Sequence, residues 1–191
     1  MLFAAAWKTI ETFAADRKFL GAQTGMIAML HTWGQQLMLH PHLHCIVPDG
    51  GVDYRGRWKK KKITGRPFLF PVKAMSRVLR SVFMNRFAAW KKETGFSMPE
   101  DLIGELFRKE WVVYAKEPFA GTAGVVEYLG RYSHKVAISN HRLLDITDAH
   151  VRFTWKDYRD AAKQKTMQLE GKEFLRRFAL HILPPRFVRI R

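Results

Sequence analysis

The sequence predicts an α+β domain with a central, mainly antiparallel β-sheet flanked by helices. Two observations carry that class. Helical and strand-like apolar patterns both occur, and they follow one another without the regular βαβ alternation of a parallel sheet. Strong punctuation, such as Pro48-Asp49-Gly50-Gly51, separates short segments as hairpins require. At 191 residues, 47% hydrophobic and 26% charged, the chain has the size and composition of one globular domain.

Residues 1–18 read as a helix, because Leu2, Phe3, Ala6, Ile10, Phe13 and Ala14 recur at helical spacing up to Gly21. Residues 24–33 and 40–47 read as strands, and 52–63 as a basic hairpin turning at Arg55-Gly56. Pro71 opens a long helix whose apolar face (Met75, Val78, Leu79, Val82, Phe83, Phe87, Trp90) runs to Gly95 and belongs to the core. A second helix follows Pro99. Residues 111–115 (WVVYA) read as a buried strand, and 122–133 as a short helix. Strands are expected at 135–139, 141–146 and 150–155, then an amphipathic helix over 166–182 and a strand-like alternation at 187–191.

Charge narrows the partner. Lys and Arg number 33 against 17 Asp and Glu, a formal net charge of +16, so a polyanion is expected. No apolar run approaches the roughly 18–20 residues of a membrane span, and no membrane partner is expected. A single Cys excludes a disulfide framework within the chain. Nothing in the sequence signals an oligomeric state.

Two constellations carry chemistry. Four of the eight histidines lie within 31–44: His31, His40, His42 and His44. On a strand, His42 and His44 share one face while Leu43 turns to the other, which offers two imidazoles to one divalent cation. The plain alternative is an ordinary hydrogen-bonded pair. A third ligand must come from elsewhere; His31 on the preceding strand is the first choice, with Gln35, Gln36 and His40 as rivals. Cys45, by alternation, reads as a small core residue.

Tyr128 and Tyr132 stand at i and i+4, on one face of a helix. Arg131 and Lys135 each follow a tyrosine by three residues, so each hydroxyl has a candidate cationic neighbour. The plain alternative is simple aromatic packing. Together, a cation polarising a phosphate and a phenol attacking it would make a covalent phosphotyrosine.

The stretches HTWGQQLMLHPHLHCIVPDGG (31–51), YLGRYSHKVAISNHRL (128–143) and EFLRRFALHILPPRFVRIR (173–191) closely resemble the two-tyrosine rolling-circle transposases of bacterial insertion sequences. These belong to the HUH endonuclease superfamily, with replication initiators and relaxases. The resemblance implies that fold, with His42 and His44 as metal ligands for Mg²⁺ or Mn²⁺ and Tyr128 and Tyr132 as nucleophiles. It also implies a Lys135 in the Tyr-x-x-Lys arrangement of related initiators, and an Arg131 in the equivalent place after the first tyrosine, where it would contact DNA. The implied activity is nicking and rejoining of single-stranded DNA, at element ends and target, with a 5′-phosphotyrosine and a free 3′-OH. The implied setting is the bacterial cytoplasm, at the nucleoid. Family members carry a Cys-rich zinc-binding region before this core and extend past it. Residues 1–191 are therefore expected to be a truncated catalytic domain. The alternatives are a non-catalytic DNA-binding remnant of a mobile element, or a plasmid relaxase or replication initiator.

Seven basic residues fall within 55–66, among them Arg57, Lys59, Lys60, Lys61 and Lys62, with Trp58 between. Cations for phosphates and an aromatic for an unpaired base predict a DNA-contact loop. Arg176, Arg177, Arg186, Arg189 and Arg191 are expected to add to that surface.

Overall fold

The computed structural model describes residues 1–60, 68–133 and 136–191. The chain divides into two units, Met1–Ile27 with Cys45–Gly124, and Ala28–His44 with Val125–Arg191. Elements in chain order are α1 (Leu2–Ala15), β1 (Ile27–Trp33), β2 (Leu39–Ile46), β3 (Gly50–Val52), β4 (Trp58–Lys60), α2 (Val72–Thr94), α3 (Glu100–Arg108), α4 (Thr122–Ser133), β5 (Leu143–Ile146), β6 (His150–Asp157), β7 (Lys163–Glu170) and α5 (Gly171–Ala179). The α+β class stands. Among the described residues the strands form the ladders β1–β2 and β3–β4 and the three-stranded sheet β5–β6–β7. No helix among the described residues is long and apolar enough to cross a membrane.

In the first unit the apolar stripe of α1 makes the core. Ile10, Phe13 and Ala14 pack with Leu20, Ala22 and Phe70, and Met75 and Val78 of α2 close over them. The Phe13 ring lies 5.2 Å from Phe19 and 5.8 Å from Phe70. Fully burying an Ile, Leu or Phe side chain here contributes about 1.5–3 kcal/mol. Gly95 ends α2 at φ +69°, the left-handed conformation that a glycine enters without a Cβ penalty. Residues 111–115 are not a strand. They form no regular element, with Trp111 half-buried against α2 and α3 while Val112 and Tyr114 face outward, 89% and 78% exposed. The β-branched run satisfies propensity, but no neighbouring strand pairs with it among the described residues.

In the second unit the short loop 34–38 joins β1 to β2, which only antiparallel neighbours allow. The expected strand at 187–191 is confined to its end: Ile190 bridges Met29, and the Arg191 and Ala28 main chains exchange hydrogen bonds of 2.6 and 2.9 Å. In β5–β6–β7 the β6–β7 register is unbroken from His150↔Glu170 to Asp157↔Lys163. Phe153, Met167 and Leu169 turn inward on Trp33, Leu37, Ala137, Ile138 and Phe174.

Three expectations fail here. The helix expected over 166–182 is instead β7 followed by α5. Lys165, Met167 and Leu169 alternate with exposed neighbours, a period of two, and the helical period begins only after Gly171. Residues 136–139 form no strand, although Ala137 and Ile138 are buried. A 3₁₀ turn at Asn140–Arg142 delays the next strand to Leu143. Lys61, Lys62, Arg66, His134 and Lys135 lie outside the described residues.

Candidate active site

Strand alternation and one helix face build the site, entirely within the second unit. Met29, His31 and Trp33 take one face of β1, and His42 and His44 take the facing side of β2. One ring nitrogen from each of His31, His42 and His44 lies within 4.8 Å of the others. His31 is 2% exposed, and the other two are half-buried. The group contains no carboxylate. His40, a rival for the third place, is exposed and outside the group, although its carbonyl takes a 2.7 Å bond from His42 Nδ1. That bond puts the His42 proton on Nδ1 and the ring lone pair on Nε2.

Helix α4 brings both tyrosines to this histidine face. The rings of Tyr128 and Tyr132 stack at 4.3 Å, as residues four apart on a helix can. Tyr132 lies 4.4 Å from the His44 ring. The Tyr128 hydroxyl and His44 Nδ1 are hydrogen-bonded at 2.8 Å. The Tyr132 carbonyl, in the last turn of α4 where intrahelical partners run out, accepts from His31 Nε2 at 3.1 Å. His31 thus ties the helix end to β1 and also stacks on Trp33 at 4.7 Å. Arg131 was expected beside the Tyr128 hydroxyl; instead it is paired with Glu127 on the exposed side of α4, and the Tyr128 oxygen is hydrogen-bonded to an imidazole. Three imidazoles that converge this closely fit a divalent cation by count and spacing; the borderline donor chemistry suits first-row metals better than Mg²⁺ alone.

A family model described as "Putative transposase" (Y2_Tnp) matches residues 25–191. The chain belongs to this transposase family. It is 46% identical over 205 residues to "Putative transposase y4qJ" of Sinorhizobium fredii (strain NBRC 101917 / NGR234), an alignment covering all of this chain and 50% of that protein. It is 31% identical over 193 residues to the "Transposase for insertion sequence element IS801" of Pseudomonas savastanoi pv. phaseolicola, covering 94% of this chain and 44% of that one. The chain spans about half the length of these curated relatives. No solved structure matches it.

In this transposase-family chain the expected DNA-contact hairpin is β3–β4, within the first unit. Its turn is fixed by the Asp53 carboxylate, which accepts from the main-chain N–H groups of Arg55 and Arg57 at 2.9 and 3.0 Å. The Arg57 N–H bond, ahead of the others, holds the Asp53 carboxyl below its usual range. Gly50 and Gly51 are required by close approach: a Cβ there would sit 2.4 Å from the Lys59 carbonyl oxygen and 2.3 Å from that of Gln23. Arg57, Trp58, Lys59 and Lys60 are exposed, and Lys60 reaches Asp49 at 3.4 Å. Sequence reasoning passed over Tyr54 at the tip, which is 84% exposed with the Arg55 guanidinium 5.2 Å above its ring. An aromatic next to the basic run was the available signal.

Two further expectations are corrected. Cys45 is exposed rather than in the core, because alternation assigns a face and not whether that face is covered. Arg177 belongs to no open basic surface. Its guanidinium is folded onto Glu173 and the Gln36 carbonyl, at 2.7 and 3.2 Å.

Proposed function

We propose that this chain is the catalytic core of a rolling-circle transposase that nicks and rejoins single-stranded DNA through 5′-phosphotyrosine intermediates. One juxtaposition carries the reading: two phenols on one face of α4 meet the His31, His42 and His44 imidazoles, with the Tyr128 oxygen 2.8 Å from His44 Nδ1. Phenols that merely packed as an aromatic pair would not need a cluster of imidazoles with metal-ligand spacing beside them.

His31, His42 and His44 would hold a divalent cation, Mn²⁺ or Mg²⁺. When bound, it supplies the charge that polarises a scissile phosphate and offsets the negative charge of in-line displacement. The residues do the rest. His44 orients the Tyr128 oxygen, and the helix places Tyr132 next to it. A tyrosine hydroxyl loses its proton to solvent as its oxygen bonds to phosphorus, the bond from phosphorus to the 3′ oxygen breaks, and that oxygen leaves as a 3′-OH by taking a proton from solvent. The phosphodiester's energy is kept in the new ester, so a later 3′-OH can attack it and restore the strand. A second tyrosine allows another cleavage while the first end is still attached. The β3–β4 hairpin supplies cations for phosphates, and Trp58 and Tyr54 supply rings for unpaired bases. This activity would operate where bacterial DNA is exposed as single strands, in the cytoplasm. Lys135 would support the chemistry from its place after Tyr132 in the sequence, and Lys61 and Lys62 would add their charges to the basic run that contacts DNA.

The test is a covalent adduct. A 3′-labelled single-stranded oligonucleotide library incubated with the protein and Mn²⁺ is expected to give a labelled band that survives denaturing electrophoresis and disappears with EDTA. Salt-sensitive binding with no adduct in any metal would leave a DNA-binding remnant in its place.

A further inference from the structure

We propose that Arg142, Arg177 and His181 form a clamp on three consecutive carbonyls of the β1–β2 loop, and that this clamp is what sets the three imidazoles opposite one another. The inference rests on the metal reading above and adds positioning residues to it.

The contacts are specific. Arg142 Nη2 donates to the Gln35 carbonyl at 2.5 Å, Arg177 Nη1 to the Gln36 carbonyl at 3.2 Å, and His181 Nε2 to the Leu37 carbonyl at 3.0 Å. A carbonyl only accepts, so His181 carries its proton on Nε2; its Nδ1 meets the Thr32 hydroxyl at 3.1 Å. His181 therefore ties the loop to β1 at the residue after His31. Both arginines are themselves anchored. Arg142 Nε holds the Thr154 carbonyl on β6 at 2.8 Å, and Arg177 Nε holds Glu173 on α5 at 2.7 Å. The Gln35 side chain accepts from the Lys156 N–H at 3.3 Å. The loop thus hangs from β6, α5 and the segment after it.

The loop also pays a local cost that something must offset. Leu37 has φ +58°, a left-handed conformation unfavourable for a side chain of its size, yet it is fully buried. Loop geometry decides the register of the strands it joins, and a slip of one residue sends every side chain to the opposite face. His31 stands on one strand of this hairpin and His42 and His44 on the other. Holding the carbonyls of residues 35–37 fixes the slip that would separate them. The two guanidinium donors suit the task, because bonds to ionised groups are shorter and stronger than neutral ones.

The experiment measures Mn²⁺ affinity by calorimetry, together with NMR contacts among the His31, His44 and Tyr132 rings, whose centroids are 4.4–5.7 Å apart. Arg177→Ala and His181→Ala are expected to weaken Mn²⁺ binding by about tenfold or more, the effect typical of groups that orient ligands, and to diminish the ring contacts. His181→Gln, which keeps a donor and an acceptor, should restore most of both. Leu169→Ala serves as a control that loosens the same core at a side chain that contacts none of the clamp residues. Unchanged affinity and ring contacts in the clamp variants, or equal losses in the control, would overturn the proposal. Should an alanine variant fail to fold, Arg142→Lys and Arg177→Lys carry the same test, because a point charge cannot reproduce the forked contacts. If the unaltered protein binds no Mn²⁺, the metal reading fails, while the ring contacts still decide the clamp.

Discussion

At the residue scale, the donor chemistry of the site sets what it will bind. Imidazole is a borderline ligand, so affinity should rise from Mn²⁺ to Co²⁺, with Mg²⁺ weakest. His42→Ala or His44→Ala should cut Mn²⁺ affinity more than about tenfold by titration calorimetry, since even the partners of ligands matter that much; unaltered binding would remove both from the site. Phe153 is fully buried and meets Phe174 edge-on at 6.0 Å. Phe153→Ala should destabilise the fold by about 3–5 kcal/mol in urea, and a loss under ~1 kcal/mol would mean that the cavity collapses. The pairs His42/His44 and Tyr128/Tyr132 were legible because each is local: a two-residue strand repeat and a four-residue helix repeat. His31 could be named only as one of several choices, since its place depends on strand pairing. Arg142, Arg177 and His181 read as ordinary or DNA-facing residues, because their partners lie more than a hundred positions away.

At the element scale, α5 is tied to the loop it supports through Glu173. Hydrogen bonds from Arg176, then Arg177, bring the Glu173 carboxyl from 4.5 down to about 2. A depressed carboxylate contributes stability that is fully present above its unfolded value and lost as pH falls through its folded one. Glu173→Gln should therefore flatten the part of the acid-unfolding curve between about pH 4.5 and 2, read by far-UV circular dichroism, and leave neutral pH less stable. An unchanged acid limb would show that the ion pairs carry no weight. The elements themselves were unevenly legible. The helices α1 and α2 carry long apolar stripes that no local competitor interrupts. In β7 the apolar residues Met167 and Leu169 run on into Phe174 and Phe178, so one helical period absorbs two elements. The run 111–115 has strand propensity without a strand to pair with among the described residues, and propensity alone does not make a ladder.

At the scale of the whole molecule, a net charge of +16 would make the proposed binding to single strands a matter of counterion release. Each phosphate contact adds about 0.7 to the slope of log affinity against log salt, so replacing Arg57, Lys59 and Lys60 with alanine should lower the slope by about 2. An unchanged slope in fluorescence anisotropy would take the hairpin off the DNA path. Charge was the most readable property of the chain and the least specific, since it names a polyanion and no reaction. The proposed reaction depends on the two phenols beside the imidazoles. The most direct measurement is therefore mass-spectrometric mapping of the covalently attached nucleotide after digestion of the protein–DNA adduct. Phosphorylated linkage at Tyr128 or Tyr132, with no adduct from the Tyr128→Phe, Tyr132→Phe double variant, is the expected result; linkage at any other residue, or an adduct that survives the double variant, contradicts it.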